Sequence, residues 1–145
     1  MSRTSKCSRA LLNAGVDFHG HLGPYLVLGL RMGMIAVHML KPKGLHELSA
    51  TVWTRLSPPQ SCLLDGVQVS SGCTLGKGNI RAVASQRTTA KFRKGNSTLV
   101  VELTNKAKTL LSRITKHTPQ LEIKKTALIL HRMPDRQLFI ITQDG

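Results

Sequence analysis

The longest apolar run in the sequence covers residues 22–40, where Arg31 is the only formally charged side chain. Pro24 lies near its start, and proline suits the first turn of a helix because its fixed φ is helical. Gly29 and Gly33 lie about one helical turn apart and would let another element approach the helix backbone closely. The run is near the lower length limit for a membrane span, but Arg31 at a membrane centre would cost about 2.5 kcal/mol or more. The pattern therefore predicts a helix buried in the protein core.

Apolar residues at helical spacing predict three further helices. The first is a short amphipathic helix over residues 1–16, and a polar turn at residues 17–23 follows it. Ser61 can cap a second helix that begins at Cys62 and ends near residue 70. The third is predicted over residues 106–115.

Alternating apolar and polar residues, bounded by turn residues, predict the strands. Their ranges are residues 49–56, 88–93, 98–104, 126–131 and 137–142. The middle two would form a hairpin around Gly95, and the last two would form a second hairpin around Pro134. The elements together predict an α+β fold, in which an antiparallel sheet packs against the buried helix and two or three others.

The chain has 145 residues, which fits one domain over residues 1–145 better than two. Its three cysteines are too few and too widely spaced for a disulfide framework, so we expect reduced thiols. No small-residue cleavage site follows an apolar stretch near the amino terminus. We therefore expect a cytoplasmic protein without a membrane segment.

The charge balance is strongly basic, with 21 Lys and Arg against 7 Asp and Glu. No acidic residue lies between Asp65 and Glu102, whereas six basic residues fall within residues 77–94. Such a stretch is most often a solvated basic face, and it could also meet an acidic protein. The alternative is a nucleic-acid-binding module in which Lys91, Arg93 and Lys94 contact phosphates. Aromatic residues make up only 3% of the chain, which disfavours base stacking and leaves weak, sequence-independent binding.

A metal site is indicated by His19 and His21, because two imidazoles one residue apart can converge on one ion. An isolated pair of this kind is more often structural. Cys62 strengthens the case, since the start of a helix lowers a thiol's pKa and favours the thiolate that binds metal. Asp65 lies on the same face of that helix and could bind the ion or accept a hydrogen bond from an imidazole.

A glycine-rich loop covers residues 72–79 and superficially suggests phosphate binding. Only three residues separate Gly72 from Gly76, and glycine rather than Ser or Thr follows Lys77, so the nucleotide-binding pattern is not met. We interpret the loop as a turn beside the metal cleft, with Cys73 and Lys77 facing a ligand.

Several blocks of sequence resemble the family of the formylmethanofuran dehydrogenase E-subunit. The blocks are FHGHLGPY at residues 18–25 with GLR at 29–31, CLLDGVQ at 62–68, GCTLGKGN at 72–79 and MPDRQLF at 133–139. The resemblance implies an α+β core with a transition metal in a cleft. It implies His19, His21 and Cys62 as ligands, and a site lined by Asp65, Cys73 and Lys77.

The chain departs from the family pattern in two places. Many members have cysteine where this chain has Gly23, and many carry a zinc ribbon, for which this chain has no CxxC pair. The chain also lacks any molybdopterin or iron–sulfur cysteine pattern, so formylmethanofuran oxidation is not expected of it.

The functional expectation is a protein that holds one divalent transition metal, either catalytically or as an accessory to a metalloenzyme. Zinc is the first choice, and nickel and iron are alternatives, because imidazole and thiolate ligands suit all three. As partners we expect a small-molecule ligand or an acidic protein, and a homo-oligomer of the chain itself. Whether the protein is an enzyme is left open by the sequence.

Overall fold

The computed structural model describes residues 7–145, which form five strands and six helices. In chain order the elements are α1 (Arg9–His19), α2 (Pro24–Leu40), β1 (Leu48–Thr54), α3 (Cys62–Ser71), β2 (Ile80–Ala84), β3 (Thr89–Lys94), β4 (Ser97–Leu103), α4 (Asn105–Ser112), α5 (Gln120–Arg132), α6 (Asp135–Leu138) and β5 (Phe139–Asp144). The predicted α+β class is confirmed.

The strands form one mixed sheet in the order β2-β1-β3-β4-β5. The predicted hairpin is confirmed as the antiparallel pair β3–β4. The pairs β1–β3 and β4–β5 are also antiparallel, whereas β1 and β2 are parallel. Alternate residues on the central strands, such as Val52, Phe92 and Val101, are fully buried. One face of the sheet therefore supports the core.

The core helix is α2, as its apolar run predicted. Most of its residues are buried, including those around Gly29 and Gly33. A Cβ on Gly29 would lie 2.9 Å from the backbone nitrogen of Val67 and 3.0 Å from Cα of Gly66, both in α3. The small residues of the two helices thus bring their backbones into direct contact, which fixes the start of α3 relative to α2.

The charge of Arg31 is neutralised inside the core. Its guanidinium donates to the carbonyl of Leu130 at 2.7 Å and to Oδ1 of Asp135 at 2.6 Å, and also to the carbonyl of Met133. Arg31 is fully buried and Asp135 is 8% exposed. This ion pair fastens the centre of α2 to the corner between α5 and α6.

The structure differs from the predicted elements in several places. The last strand, predicted over residues 137–142, is β5 (Phe139–Asp144), because residues 137 and 138 belong to α6. Residues 126–131 belong to α5 rather than to a strand, so the predicted second hairpin is wrong. The short edge strand β2 was not predicted. Helix α1 continues to His19 instead of ending before the polar turn, and residues 1–6 of the predicted helix lie outside the described residues.

No helix within residues 7–145 is long and apolar enough to cross a membrane.

Candidate functional site

A cavity of about 190 Å³ lies where three helices begin. Pro24, Cys62 and Gln120, the first residues of α2, α3 and α5, all line it. The other lining residues are His19, His21, Gly23, Tyr25, Leu26, Pro58, Pro59, Ile114, Thr115, Lys116, Thr118 and Ile123. The cavity therefore brings together the two predicted histidine ligands and the predicted cysteine ligand.

His19 is the last residue of α1, and the left-handed φ of +108° at Gly20 ends the helix directly after it. Its Nδ1 lies 2.6 Å from Oδ2 of Asp65 in α3. An ionised carboxylate can only accept, so Nδ1 carries a proton, and in the neutral form of the imidazole the lone pair is on Nε2. That Nε2 is sealed from solvent and has no hydrogen-bond partner among residues 7–145.

His21 stacks on His19, with 4.8 Å between the ring centroids and 29° between the ring planes. Partial desolvation, and then the neighbouring His19, lower the pKa of His21 below its usual value. The neutral imidazole that results is the form that binds metal ions.

Cys62 begins α3 and is partly buried. Burial is the main cause that raises the pKa of its thiol, and the negative charge of Asp65 raises it further. The expected lowering of this pKa by the helix start is therefore wrong for the protein without a bound cation, because desolvation and the nearby carboxylate outweigh the backbone hydrogen bond to the sulfur. A positive ion at this position would reverse that balance.

The chemistry of these donors fits a transition metal, but the arrangement is not a ready-made cluster. In the part of the chain that the structure describes, no three His, Cys, Asp or Glu side chains are close enough to hold an ion together. The imidazole of His19 nevertheless resembles that of a metal-binding histidine. A carboxylate accepts from its Nδ1, and its Nε2 has no partner in the described part of the chain. The set of three ligands stays a prediction.

Cys73 and Lys77 do not line this cavity. They follow the carboxyl end of α3, and at 1.5 Å per residue the ten-residue helix places them about 14 Å or more from its start. Cys73 is fully buried, and its Sγ donates weakly to the carbonyl of Leu48 at 3.4 Å. The length of α3 between the two motifs therefore separates Cys73 and Lys77 from the cavity, and the prediction that they line the site is wrong for this cavity.

The basic residues of β3 fall into two groups. Lys91 and Arg93 are exposed on the face of the sheet opposite the buried Ala90 and Phe92. Lys94 instead donates to the carbonyls of Leu40 and Lys41 at 2.9 and 3.0 Å, where it caps the carboxyl end of α2. Its ammonium is thus already engaged within the fold.

Tyr25 and Lys116 are among the cavity residues that were not predicted as part of the site. Tyr25 lies within the FHGHLGPY block, so its closeness to the two histidines in the sequence could have indicated that it lines the site. Lys116 comes from the connection between α4 and α5, and nothing in its local sequence distinguishes it from the other lysines. Its approach to the cavity depends on α5 being a helix, which the sequence did not predict.

Fold and cavity together define a small α+β protein with a histidine- and cysteine-lined cleft at the starts of three helices. Residues 18–141 match the family model described as FmdE, Molybdenum formylmethanofuran dehydrogenase operon. Because this match covers most of the chain, the protein belongs to the FmdE family.

Two known proteins show how far the similarity extends. A protein from Syntrophus aciditrophicus that is described as like FmdE of a tungsten formylmethanofuran dehydrogenase has the same fold, with a TM-score of 0.65 and 22% identity over 92% of this chain and 70% of that chain. A probable S-adenosyl-L-methionine-binding protein of Archaeoglobus fulgidus is 42% identical over 80 residues, or 52% of this chain and 21% of the relative. The chain thus spans about a fifth of that relative's length.

Proposed function

We propose that this protein binds one divalent transition-metal ion through His19, His21 and Cys62, as a catalytic centre or as an accessory to a metalloenzyme. Zinc is the first choice, with nickel and iron as alternatives. Three protein ligands would leave a position open for water or a substrate. The family's link to a formylmethanofuran dehydrogenase operon is consistent with an accessory role.

The observation that carries the proposal is the buried Nε2 of His19. A buried polar atom without a partner is costly, by about 1–3 kcal/mol, so such atoms are rare in stable proteins. Asp65 fixes the ring by accepting from Nδ1 at 2.6 Å, which leaves Nε2 as the donor atom for an ion. A metal ion would satisfy this lone pair, and it would favour the thiolate of Cys62.

The test is metal stoichiometry by elemental analysis of protein purified without an affinity tag. We expect about one equivalent in the wild type and a large loss in the His19→Ala, His21→Ala double variant, because two of the three ligands are removed. His38→Ala and His46→Ala are matched controls, since neither lines the cavity. Equal metal content in the wild type and a double variant with an unchanged circular dichroism spectrum would defeat the proposal.

Asp65→Asn is expected to weaken metal binding by about ten- to a hundredfold without abolishing it, since the carboxylate orients His19 and strengthens it as a ligand. The amide has nearly the same shape, so the fold should be retained. Competition with a chromophoric chelator measures the change. Asp17→Asn, at an exposed position of α1, is the control and should bind metal as the wild type does. An unchanged affinity in Asp65→Asn would show that the carboxylate plays no part in the site.

A second candidate function is weak nucleic-acid binding on the exposed face of the sheet. Lys91 and Arg93 lie there together with Arg81 of β2. Thr51 of β1 pairs with Arg81 on one side and with Lys91 on the other. None of these three forms an ion pair within residues 7–145. Nearby, the guanidinium of Arg87 lies 5.4 Å above the ring centroid of Trp53.

If this face binds nucleic acid, the logarithm of affinity should fall linearly with the logarithm of salt concentration. Lys91→Ala and Arg93→Ala should each reduce that slope by about 0.7 to 0.9, because each removes one phosphate contact. Lys94→Ala should leave the slope unchanged, since its ammonium already binds α2. Fluorescence anisotropy with a labelled oligonucleotide gives the slopes, and equal slopes in all four proteins would exclude this face.

A further inference from the structure

Three helices begin at the cavity that His19, His21 and Cys62 line. The helices α2, α3 and α5 begin there at Pro24, Cys62 and Gln120, and none is capped by a side chain of residues 7–145. In contrast, Ser8 and Thr104 cap α1 and α4, which begin elsewhere. The positive ends of three helix dipoles therefore point towards one small space.

Free backbone donors remain at the start of α2. The N–H groups of Tyr25 and Leu26 have no hydrogen-bond partner in the described part of the chain, and the helix ladder begins with Val27 donating to Gly23 at 3.1 Å. Tyr25 is 7% exposed and Leu26 is fully buried, and both residues line the cavity. Their N–H groups belong to the first turn, which has no intrahelical partners for them, so they are available to a ligand in the cavity.

The starts of the other two helices contribute differently. At α3 the preceding turn already uses the first N–H groups, since Cys62 donates to Pro59 at 3.2 Å and Leu63 donates to Gln60 at 3.2 Å. At α5 the N–H of Gln120 has no partner among residues 7–145 and lies beside the cavity. The available donors therefore belong to α2, with α5 at the edge.

The side chain of Tyr25 supplies a further donor. Its hydroxyl makes no hydrogen bond with any residue of the described chain. The hydroxyl oxygen is accessible to solvent. Because the residue as a whole is nine-tenths buried and lines the cavity, the hydroxyl is reachable from that cavity.

The charge and shape of the lining define the ligand. Within residues 7–145 no Asp or Glu lines the cavity itself, because the carboxylate of Asp65 lies behind His19 and is paired with its Nδ1 at 2.6 Å. Lys116 is exposed at the mouth of the cavity. The walls between these donors are apolar, formed by Leu26, Pro58, Pro59, Ile114 and Ile123. A cavity of about 150 Å³ can hold benzene, so 190 Å³ accommodates a body of that size with a small polar group attached.

We propose that this cavity binds a small organic acid, whose carboxylate accepts hydrogen bonds from the Tyr25 hydroxyl and from the N–H groups of Tyr25 and Leu26. Lys116 attracts the anion at the mouth, and the apolar walls hold the body. This inference rests on the proposed function only where it places the acid beside a metal ion. The hydrogen-bond donors to the carboxylate belong to the chain itself and do not require the ion.

Benzoate is the probe, and benzamide is its neutral counterpart of the same shape. Isothermal titration of metal-free protein should show that benzoate binds more tightly than benzamide. Tyr25→Phe keeps the ring and removes only the hydroxyl, and it should weaken benzoate binding by about ten- to a hundredfold, because hydrogen bonds to charged groups are strong. Lys116→Ala should weaken binding by less than about fivefold, since the side chain is exposed. Lys108→Ala, in a groove elsewhere on the surface, should have no effect.

Amide chemical shifts measured by NMR place the bound probe independently of any variant. The largest shifts on adding benzoate should fall on the N–H groups of Tyr25, Leu26 and Gln120. Equal affinity for benzoate and benzamide, or the largest shifts on the sheet face, would overturn the proposal. The first titration uses metal-free protein, so benzoate binding there does not depend on the metal proposal. If the protein failed to bind zinc, benzoate should still bind, and a second titration with added zinc therefore tests the two proposals separately.

Discussion

Asp135→Ala is expected to lower the free energy of unfolding by about 3–5 kcal/mol and the Tm by about 10–15 °C. The reason is that Arg31 is fully buried and its guanidinium lies 2.6 Å from the Asp135 carboxylate. Removing the carboxylate leaves a positive charge in the core that water cannot solvate. Urea unfolding followed by circular dichroism measures the change.

The control for this prediction is Asp17→Ala, which removes an exposed carboxylate of α1 and should change stability by less than about 0.5 kcal/mol. The double variant Arg31→Met, Asp135→Leu removes both charges, and it should recover part of the stability lost in Asp135→Ala. A loss below about 1 kcal/mol in Asp135→Ala would mean that the ion pair does not hold α2 in place.

Gly66→Ala is expected to destabilise the protein by about 3 kcal/mol, at the upper end of the usual range for overpacking. A Cβ on Gly66 would lie 2.6 Å from the backbone nitrogen of Leu30 and 2.9 Å from the carbonyl carbon of Gly29. These are backbone atoms of a buried helix, so they cannot move aside as a flexible side chain could. The two helices would have to separate.

Gly76→Ala is the matched control, because a Cβ at Gly76 meets no atom within 4 Å and its φ is not left-handed. It should be neutral within about 0.5 kcal/mol, or slightly stabilising. Chemical denaturation of both variants under the same conditions gives the comparison. Equal stabilities would contradict the close approach of α2 and α3.

The core helix could be predicted from the sequence because its signals agreed. The apolar run, the proline at its first turn and the glycines one turn apart all favoured the helix that the structure contains. The role of Arg31 could not be predicted, since its carboxylate partner lies 104 residues later in the chain. Sequence separation of this size leaves no local pattern to read.

Helix α5 shows why a short apolar run is ambiguous. Residues 126–131 contain Ala127, Leu128, Ile129 and Leu130 in succession, which suits a buried strand as well as a buried helix. Only Ala127 and Leu130 are buried, at the three-residue spacing of a helix face. The helix-forming residues before the run, after Pro119, were the signal that could have decided between the two.

The sequence predicted the metal-ligand candidates of the site better than the other groups that line it. The sequence indicated His19, His21 and Cys62, and the structure brings all three to one cavity. The unpaired N–H groups of Tyr25 and Leu26 follow from the helix start that Pro24 predicted. Their place beside the cavity could not be predicted, because it depends on how α2, α3 and α5 pack together.

The ion pair at the centre of α2 also affects the order in which the molecule can form. Arg31 is synthesised long before Leu130 and Asp135, which follow it by 99 and 104 residues. Contacts between such distant residues raise the contact order and slow folding, although doubling the length of a closed loop costs only about 0.6 kcal/mol in stability. On the ribosome, the most apolar helix therefore has to wait for the segment that carries Leu130 and Asp135 before it can dock fully.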